Sequence, residues 1–223
     1  MARFDGVIFD WMLTLAHYPS PAEHVAAAMT NLGRPVVPAE VERIVTAMAK
    51  ARGLPEVRAA QKVEDTSAEA HRRSEHLLYR SAGMGPGLAD QMYRLLGSPE
   101  FHPLYPDALP VVDELHRMGV KIGVVSDIHV DLRVHAQQFG FSELIDAWAL
   151  SFELGVQKPD PQIFRAALSQ LDTDPERTLM VGDRPSRDGA ACELGMTCLI
   201  LPAPARATSR GLDAVISLVK DQS

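Results

Sequence analysis

Four separated segments of the sequence carry polar residues that enzymes use to bind and transfer charged groups. Asp10 and Ser126 each follow a short apolar run, Lys158 precedes a proline, and Asp183 follows a glycine, five residues before Asp188. A carboxylate can act as a nucleophile, whereas a hydroxyl and an ammonium group can stabilise an anion. Two carboxylates beside a glycine turn are typical of a site for a hard cation such as Mg²⁺.

Each of these residues also has a simpler interpretation. Asp10 could begin a turn, Ser126 could cap the next one, and Lys158 could be a solvated lysine ahead of a helix. Asp183 and Asp188 could form a tight turn and a helix cap. The charge of Asp10 directly after a buried strand favours function, because such a charge costs free energy unless it is paired or bound to metal.

The elements that would bring these residues together alternate between strand and helix. This alternation predicts an α/β protein with a parallel, doubly wound sheet, in which the carboxyl ends of the strands meet at one crevice. Asp107 is predicted to cap the helix that follows it, and residues 203–210 are predicted to form a surface loop. The predicted strands are residues 7–9, 121–125, 147–150, 178–181 and 197–201, and the predicted helices are residues 107–118, 131–139, 160–171, 186–194 and 212–219.

A helical insertion separates the first strand from the rest of the alternating pattern. Between about residues 21 and 97 the sequence is rich in alanine and in other helix formers, and it shows no strand pattern. Three prolines within residues 98–106 indicate the return linker. We predict a core of residues 1–16 and 105–223 and an inserted helical domain of residues 17–104. The predicted helices of the insertion are residues 22–32, 39–53, 67–83 and 88–96.

The composition excludes several classes of partner. Acidic residues number 29 against 22 lysines and arginines, which gives a net charge of −7, and no dense basic stripe predicts binding to nucleic acid. The first apolar run is broken by Asp10, which suits neither a signal peptide nor a membrane span. Two cysteines, Cys192 and Cys198, favour a reduced setting. We therefore predict a cytoplasmic protein without nucleic-acid or membrane partners.

The order and spacing of Asp10, Ser126, Lys158 and Gly182-Asp183 with Asp188 resemble the four motifs of the haloacid dehalogenase superfamily. The insertion resembles the helical cap that this superfamily carries after its first motif, as in phosphoglycolate phosphatase, β-phosphoglucomutase and the 2-haloacid dehalogenases. The resemblance covers nearly the whole chain. It implies a Rossmann-like core and a phosphatase or phosphotransferase that acts on a small phosphorylated metabolite.

The resemblance also implies a role for each motif residue. Asp10, Ser126 and Lys158 would be catalytic: Asp10 would form an aspartyl-phosphate, Ser126 would bind a phosphoryl oxygen, and Lys158 would neutralise charge. Mg²⁺ would be held by Asp10, Asp183 and the backbone carbonyl of Met12, with Asp188 in support. The residues expected on the substrate side of the site are Trp11, Thr14, Ser126, Asp127 and Lys158.

The first motif departs from the pattern of phosphatases in this superfamily. They usually read Asp-x-Asp-Gly-Thr, whereas this chain has Met12 and Leu13 in place of the second aspartate and the glycine. Met12 cannot donate the proton that the leaving group needs, and loss of a general acid costs on the order of 10²–10⁴ in rate. We therefore expect aryl and acyl phosphates to react better than alkyl phosphates. Asp127 stands where an asparagine is common, which could alter the charge near the phosphate.

Two other functions remain open from the sequence. The 2-haloacid dehalogenases use the same aspartate on carbon, without the second aspartate and without metal, but the retained pair Asp183 and Asp188 argues against this function. A non-catalytic descendant that binds a phosphorylated ligand or a partner protein would explain Met12 and Leu13. The predicted cap also carries polar residues that could reach a substrate or simply form a solvated face. They are His71, Arg72, Arg73, His76 and Tyr79. The sequence predicts neither the substrate nor the oligomeric state.

Overall fold

A computed structural model describes residues 3–202 and 208–220, so part of the predicted loop at 203–210 lies outside the described residues. Its centre is a five-stranded parallel sheet in the order β3-β2-β1-β4-β5. This confirms the predicted α/β class and the doubly wound sheet. The strands are β1 (Gly6–Phe9), β2 (Lys121–Ser126), β3 (Ala147–Leu150), β4 (Thr178–Gly182) and β5 (Thr197–Ile200).

The helices fall into two sets, before and after the linker at residues 98–106. The first set comprises α1 (Pro21–Asn31), α2 (Pro38–Ala51), α3 (Pro55–Gln61), α4 (Ala68–Ser81) and α5 (Pro86–Leu96). The second set comprises α6 (Ala108–Arg117), α7 (Leu132–Gln138), α8 (Ser151–Leu154), α9 (Pro161–Leu171) and α10 (Asp213–Lys220). Short 3₁₀ segments span Glu64–Thr66, Pro99–Phe101, Ser142–Leu144, Pro175–Arg177 and Asp188–Leu194. Within the described residues, no helix is both long and apolar enough to cross a lipid bilayer.

The chain divides into two compact units, Met1–His17 with Pro103–Ser223, and Tyr18–His102. These limits lie within two residues of the predicted domain boundaries. In the first unit, the segment before the insertion is joined to the segment after it: the His17 N–H donates to the Pro103 carbonyl at 2.8 Å, and the Tyr105 N–H donates to the Leu15 carbonyl at 2.9 Å.

Strand β1 is buried on both faces, which explains its purely apolar sequence after Gly6. One face packs into an apolar cluster that includes Phe9 and Val112, and the other into a cluster that includes Ile8 and Phe164. The sheet is therefore a rigid layer between helices, and its strand ends are fixed positions for functional side chains.

The helical unit has an apolar core of its own, which includes Val25, Met48, Leu78 and Met92. Local sequence signals set its helix starts. Ser20 forms a capping box with Glu23 at the start of α1, and prolines occupy the first turns of α1, α2, α3 and α5.

Three elements differ from the sequence prediction. Helices α3 and α8 were not predicted, and the predicted helix at 186–194 is a 3₁₀ segment that begins at Asp188. The prediction that Asp107 caps its own helix is wrong: its carboxylate makes no cap bond to α6. It accepts backbone N–H groups of Arg210, Gly211 and Leu212 ahead of α10 instead.

Candidate active site

The carboxyl ends of the three central strands place the first, second and fourth motifs side by side. Phe9, the last residue of β1, pairs with Val124 of β2 and with Val181 of β4. Asp10 follows Phe9 directly, and its N–H donates to the Val181 carbonyl at 2.8 Å. Ser126 ends β2 and Gly182 ends β4, so parallel pairing brings these positions to one edge of the sheet.

Lys158 joins two of the carboxylates across this edge. Its Nζ donates to Asp10 Oδ1 and to Asp188 Oδ1, both at 2.6 Å, and to the Val125 carbonyl at 3.3 Å. The lysine side chain is only 3% exposed. A buried ammonium group costs much free energy unless it is paired, and here its three protons have three acceptors.

The second oxygen of Asp188 is held by the backbone of the loop before it. Asp188 Oδ2 accepts the Asp183 N–H at 3.1 Å and the Arg184 N–H at 2.9 Å. A Cβ atom at Gly182 would lie 2.3 Å from the Asp188 carboxyl carbon, so the approach of this side chain requires glycine. Gly182 and Asp188 therefore form one packing unit.

Asp10, Asp183 and Asp188 form a carboxylate cluster that could hold a metal ion. One carboxylate oxygen from each residue lies within 4.8 Å of the others. Among the described residues, Lys158 is the one ammonium group hydrogen-bonded into this cluster, so the negative charge exceeds what it can neutralise. Within the described residues, the Asp183 carboxylate accepts no hydrogen bond, which leaves its oxygens available. A set of hard oxygen donors with excess negative charge fits a divalent cation such as Mg²⁺.

The resemblance implies that the Met12 carbonyl adds a fourth oxygen. Residues 11–16 form a tight turn, in which the Leu13 N–H donates to the Ala16 carbonyl and the Ala16 N–H donates to the Trp11 carbonyl. No backbone N–H of the described chain donates to the Met12 carbonyl. Its role as a metal ligand stays a prediction.

Burial and the neighbouring charges together raise the pKa values of Asp10, Asp183 and Lys158. Burial raises the pKa of the Asp10 carboxyl to about 7; the Lys158 ammonium opposes this rise, and the nearby Asp188 carboxylate adds to it. Burial also raises the pKa of Asp183, with Asp188 again adding to the rise. Burial alone would lower the pKa of Lys158, but the Asp10 and Asp188 carboxylates outweigh burial and raise it. Lys158 is therefore a permanent cation.

The turn after β1 keeps its shape without the usual glycine. Leu13 has a φ of +59°, in the left-handed region that L residues rarely occupy. Thr14 is fully buried, and its hydroxyl donates to Asp10 Oδ2 at 3.2 Å. Lys158 and Thr14 therefore hold different oxygens of the Asp10 carboxylate. The turn therefore forms with leucine at this position, at the cost of backbone strain at Leu13.

The remaining predicted substrate residues have different surroundings. Ser126 is buried at the strand end, and within the described residues its hydroxyl has no hydrogen-bond partner. Asp127 is engaged elsewhere: Oδ1 accepts the Lys158 N–H at 2.7 Å, and Oδ2 accepts Arg187 Nη1 at 2.7 Å. Ser126 is thus free to bind a ligand oxygen, whereas the Asp127 carboxylate is already occupied.

Trp11 lies in the apolar core of the sheet domain. Its side chain is fully buried, and its ring stacks on Phe141 at 5.9 Å and contacts Trp148 at 6.3 Å. The aromatic neighbours account for the packing of the ring, but its indole Nε1 is buried without a hydrogen-bond partner among the described residues. A contact of Trp11 with a substrate stays a prediction.

Two arginines at the site were not identified from the sequence. Arg210 is buried, and its guanidinium donates to the carbonyls of Leu13, at 2.6 Å, Pro202, at 3.0 Å, and Leu201. It therefore fixes the turn that follows Asp10. Arg187 contacts both Asp127 and the Lys158 carbonyl. A sequence signal for Arg187 exists in retrospect, because a charged residue stands directly before Asp188.

The polar cap residues divide into two groups. His71 and Tyr79 are buried within the helical unit. Arg72, Arg73 and His76 line an open groove of about 800 Å³ on the same unit, formed by α3, α4 and α5. Their role toward a substrate stays a prediction.

The sequence matches the haloacid dehalogenase-like hydrolase family over residues 4–194, and the chain therefore belongs to that family. The glyceraldehyde 3-phosphate phosphatase of Methanopyrus kandleri is 36% identical over 85 residues, which are 38% of this chain and 36% of that protein. Across the first three curated relatives, the matched region spans from 35% to 57% of the relative's length.

Two solved structures show the same fold. An HAD phosphatase from Thermococcus onnurineus is similar with a TM-score of 0.63 at 19% identity, over 97% of this chain and 98% of that chain. An L-2-haloacid dehalogenase is similar with a TM-score of 0.69 at 17% identity, over 98% of this chain and 99% of that chain. At such identities the likeness concerns the fold alone.

Proposed function

We propose that this chain is a Mg²⁺-dependent phosphatase or phosphotransferase that acts on a small phosphorylated metabolite through an aspartyl-phosphate on Asp10. The observation that carries the proposal is the contact of Lys158 Nζ with both Asp10 and Asp188, with an Asp183 oxygen within 4.8 Å of theirs. The match to a glyceraldehyde 3-phosphate phosphatase supports a small phosphorylated substrate. The cytoplasmic location and the absence of a nucleic-acid partner stay predictions of the sequence.

The residues at the strand ends supply alignment and charge compensation, on which phosphoryl transfer mainly depends. Lys158 and Thr14 hold the two oxygens of Asp10, which limits rotation of the nucleophile. The Ser126 hydroxyl would donate to a phosphoryl oxygen. Bound Mg²⁺ would supply further neutralisation of phosphoryl charge, held by Asp10 and Asp183 with the Met12 carbonyl, and with Asp188 in support.

The proposed reaction has two steps. An Asp10 oxygen attacks phosphorus, the bond to the leaving oxygen breaks, and the leaving group departs with that electron pair. Water then attacks the aspartyl-phosphate, which releases inorganic phosphate and restores the Asp10 carboxylate. Met12 can neither protonate the leaving oxygen nor activate the water, so the basicity of the leaving group limits the first step.

A series of phosphate monoesters at saturating Mg²⁺ tests the proposal. We expect kcat/KM to fall steeply from aryl and acyl phosphates to alkyl phosphates, because no side chain at position 12 protonates the leaving oxygen. Asp10→Asn should abolish turnover of all of them, and EDTA should do the same to the wild type. Equal rates on aryl and alkyl phosphates would contradict the role of Met12.

Met12→Asp is the matched gain-of-function variant. If the remaining residues are in register, the new carboxylic acid should raise the rate on alkyl phosphates by about 10²-fold or more, and the rate on aryl phosphates much less. Chloride release from 2-chloropropionate without Mg²⁺, together with no turnover of phosphoesters, would instead identify a dehalogenase. Turnover that Asp10→Asn leaves unchanged would identify contamination and a non-catalytic chain.

A further inference from the structure

Asp127 and Arg187 hold both backbone polar groups of Lys158. Asp127 Oδ1 accepts the Lys158 N–H at 2.7 Å, and Arg187 Nη1 donates to the Lys158 carbonyl at 2.8 Å. The two side chains are also joined to each other, because Arg187 Nη1 donates to Asp127 Oδ2 at 2.7 Å. The three residues form a closed set of hydrogen bonds around one residue of the chain.

Asp127 and Arg187 are each the direct sequence neighbour of a residue at the candidate site. Asp127 follows Ser126 at the end of β2, and Arg187 precedes Asp188 at the start of the 3₁₀ segment. The pair therefore joins two loops whose neighbouring residues are site residues, with the Lys158 backbone between them. The side chains of Asp127 and Arg187 are 12% and 23% exposed, so this ion pair is less screened by solvent than a surface pair.

The pair also explains the unusual acid at position 127. An asparagine there could accept the Lys158 N–H without adding a charge, whereas an aspartate adds a negative charge close to where a phosphate would bind. Arg187 neutralises that charge through the 2.7 Å ion pair. Each of the two side chains therefore neutralises the charge of the other.

We propose that Asp127 and Arg187 are positioning residues that fix the Lys158 backbone, so that Nζ reaches Asp10 and Asp188 together. This inference rests on the proposed phosphoryl transfer. The ammonium group contacts both carboxylates at 2.6 Å, so a small shift of its backbone breaks at least one contact. Misplacement of a catalytic group by about 1 Å can cost on the order of 10²-fold in rate.

Four variants separate positioning from simple stabilisation. Arg187→Met removes the charge and both hydrogen bonds, whereas Asp127→Asn keeps an acceptor for the Lys158 N–H. The double variant combines them. Arg177→Met is the matched control, because Arg177 forms an ion pair of similar length with Asp5, at 2.6 Å, on the exposed surface of the same unit. Each variant is assayed with an aryl phosphate at saturating Mg²⁺, and its thermal unfolding is measured.

We expect Arg187→Met to lower kcat by about 10-fold to 100-fold with KM changed by less than about 3-fold, because alignment is lost while phosphate binding persists. Adding Asp127→Asn to Arg187→Met removes the uncompensated charge but should leave kcat at least about 5-fold below the wild type, because the Lys158 carbonyl still lacks its donor. A purely structural ion pair would lower the midpoint of thermal unfolding and leave the kcat of the folded protein unchanged. Arg177→Met should leave kcat within about 2-fold of the wild type. A kcat of Arg187→Met within about 3-fold of the wild type, or a double variant as active as the wild type, would overturn the proposal.

A crystal structure of Arg187→Met gives an answer that does not depend on activity. If the wild type proves inactive on every phosphate ester, the proposed function fails, but the positioning role can still be measured. A Lys158 Nζ displaced from Asp10 or Asp188 supports the inference, and an ammonium group that still contacts both overturns it.

Discussion

The contact between Gly182 and Asp188 leads to a specific prediction for Gly182→Ala. The added Cβ would lie 2.3 Å from the Asp188 carboxyl carbon and from Oδ2. Asp188 is fully buried and is bonded through Oδ1 to Lys158. The carboxylate must therefore move by about 1 Å to restore ordinary van der Waals contact, and because it is fully buried its neighbours must move with it.

The expected loss follows from the hydrogen bonds that this movement disturbs. Asp188 Oδ2 accepts two backbone N–H groups, and a hydrogen bond to a charged group contributes about 1.5–3 kcal/mol. Partial relaxation of the surrounding structure recovers some of this hydrogen-bond free energy, so we expect the free energy of unfolding to fall by about 2–4 kcal/mol. Displacement of Asp188 also withdraws one of the carboxylates that hold Lys158, and kcat should fall at least about 10-fold.

Gly189→Ala is the matched control, because the same substitution seven residues later in the chain meets no atom within 4 Å. Urea denaturation gives the free energies of unfolding, and turnover of an aryl phosphate at saturating Mg²⁺ gives kcat. Gly189→Ala should change the free energy of unfolding by less than about 1 kcal/mol. The reasoning is refuted if the two variants are equally stable and equally active.

Four further variants test other positions. Leu13→Val should destabilise the protein by at least about 1 kcal/mol in urea denaturation, because a β-branched residue tolerates the left-handed backbone poorly, whereas Leu13→Gly should stay within about 1 kcal/mol of the wild type. Arg210→Met should lower the free energy of unfolding by at least about 2 kcal/mol, since three carbonyl groups lose a charged donor; a loss below about 0.5 kcal/mol would contradict this. Burial lowers the pKa of His24, so the unfolded chain binds a proton more readily, and stability should fall as the pH drops below about 6.5. Between pH 7.5 and pH 5.5, the melting temperature of His24→Gln should fall by less than that of the wild type. An equal fall in the two proteins would exclude this role of His24.

Most of the fold could be predicted because its main elements carry strong local signals. The five strands are apolar runs, and each observed strand boundary lies within one residue of the predicted one. Helix α3 gave no such signal, because it has seven residues and buries only Val57. Helix α8 has four residues, which is too short for a helical period to be recognised.

The site could be predicted where residues follow strand ends, and not where side chains reach across the fold. Parallel strands bring Asp10 and the Gly182 turn together, and the structure places Lys158 between Asp10 and Asp188. Arg210 instead contacts Leu13 across 197 positions of sequence, and Arg187 contacts Asp127 across 60. Such pairings have no period or fixed spacing, so only the folded structure reveals them.

The hydrogen bond between His17 and Pro103 has a consequence for how this protein could change over time. The chain leaves the sheet domain after His17 and returns to it at Pro103, and these two residues are hydrogen-bonded to each other. Tyr18–His102 is therefore one long insertion between two adjacent points of the sheet domain. Recombination at those two points could exchange the whole inserted unit for another one. The hydrogen bonds that hold Asp10 and Lys158 would be inherited unchanged, because every residue that forms them is encoded outside the exchanged segment.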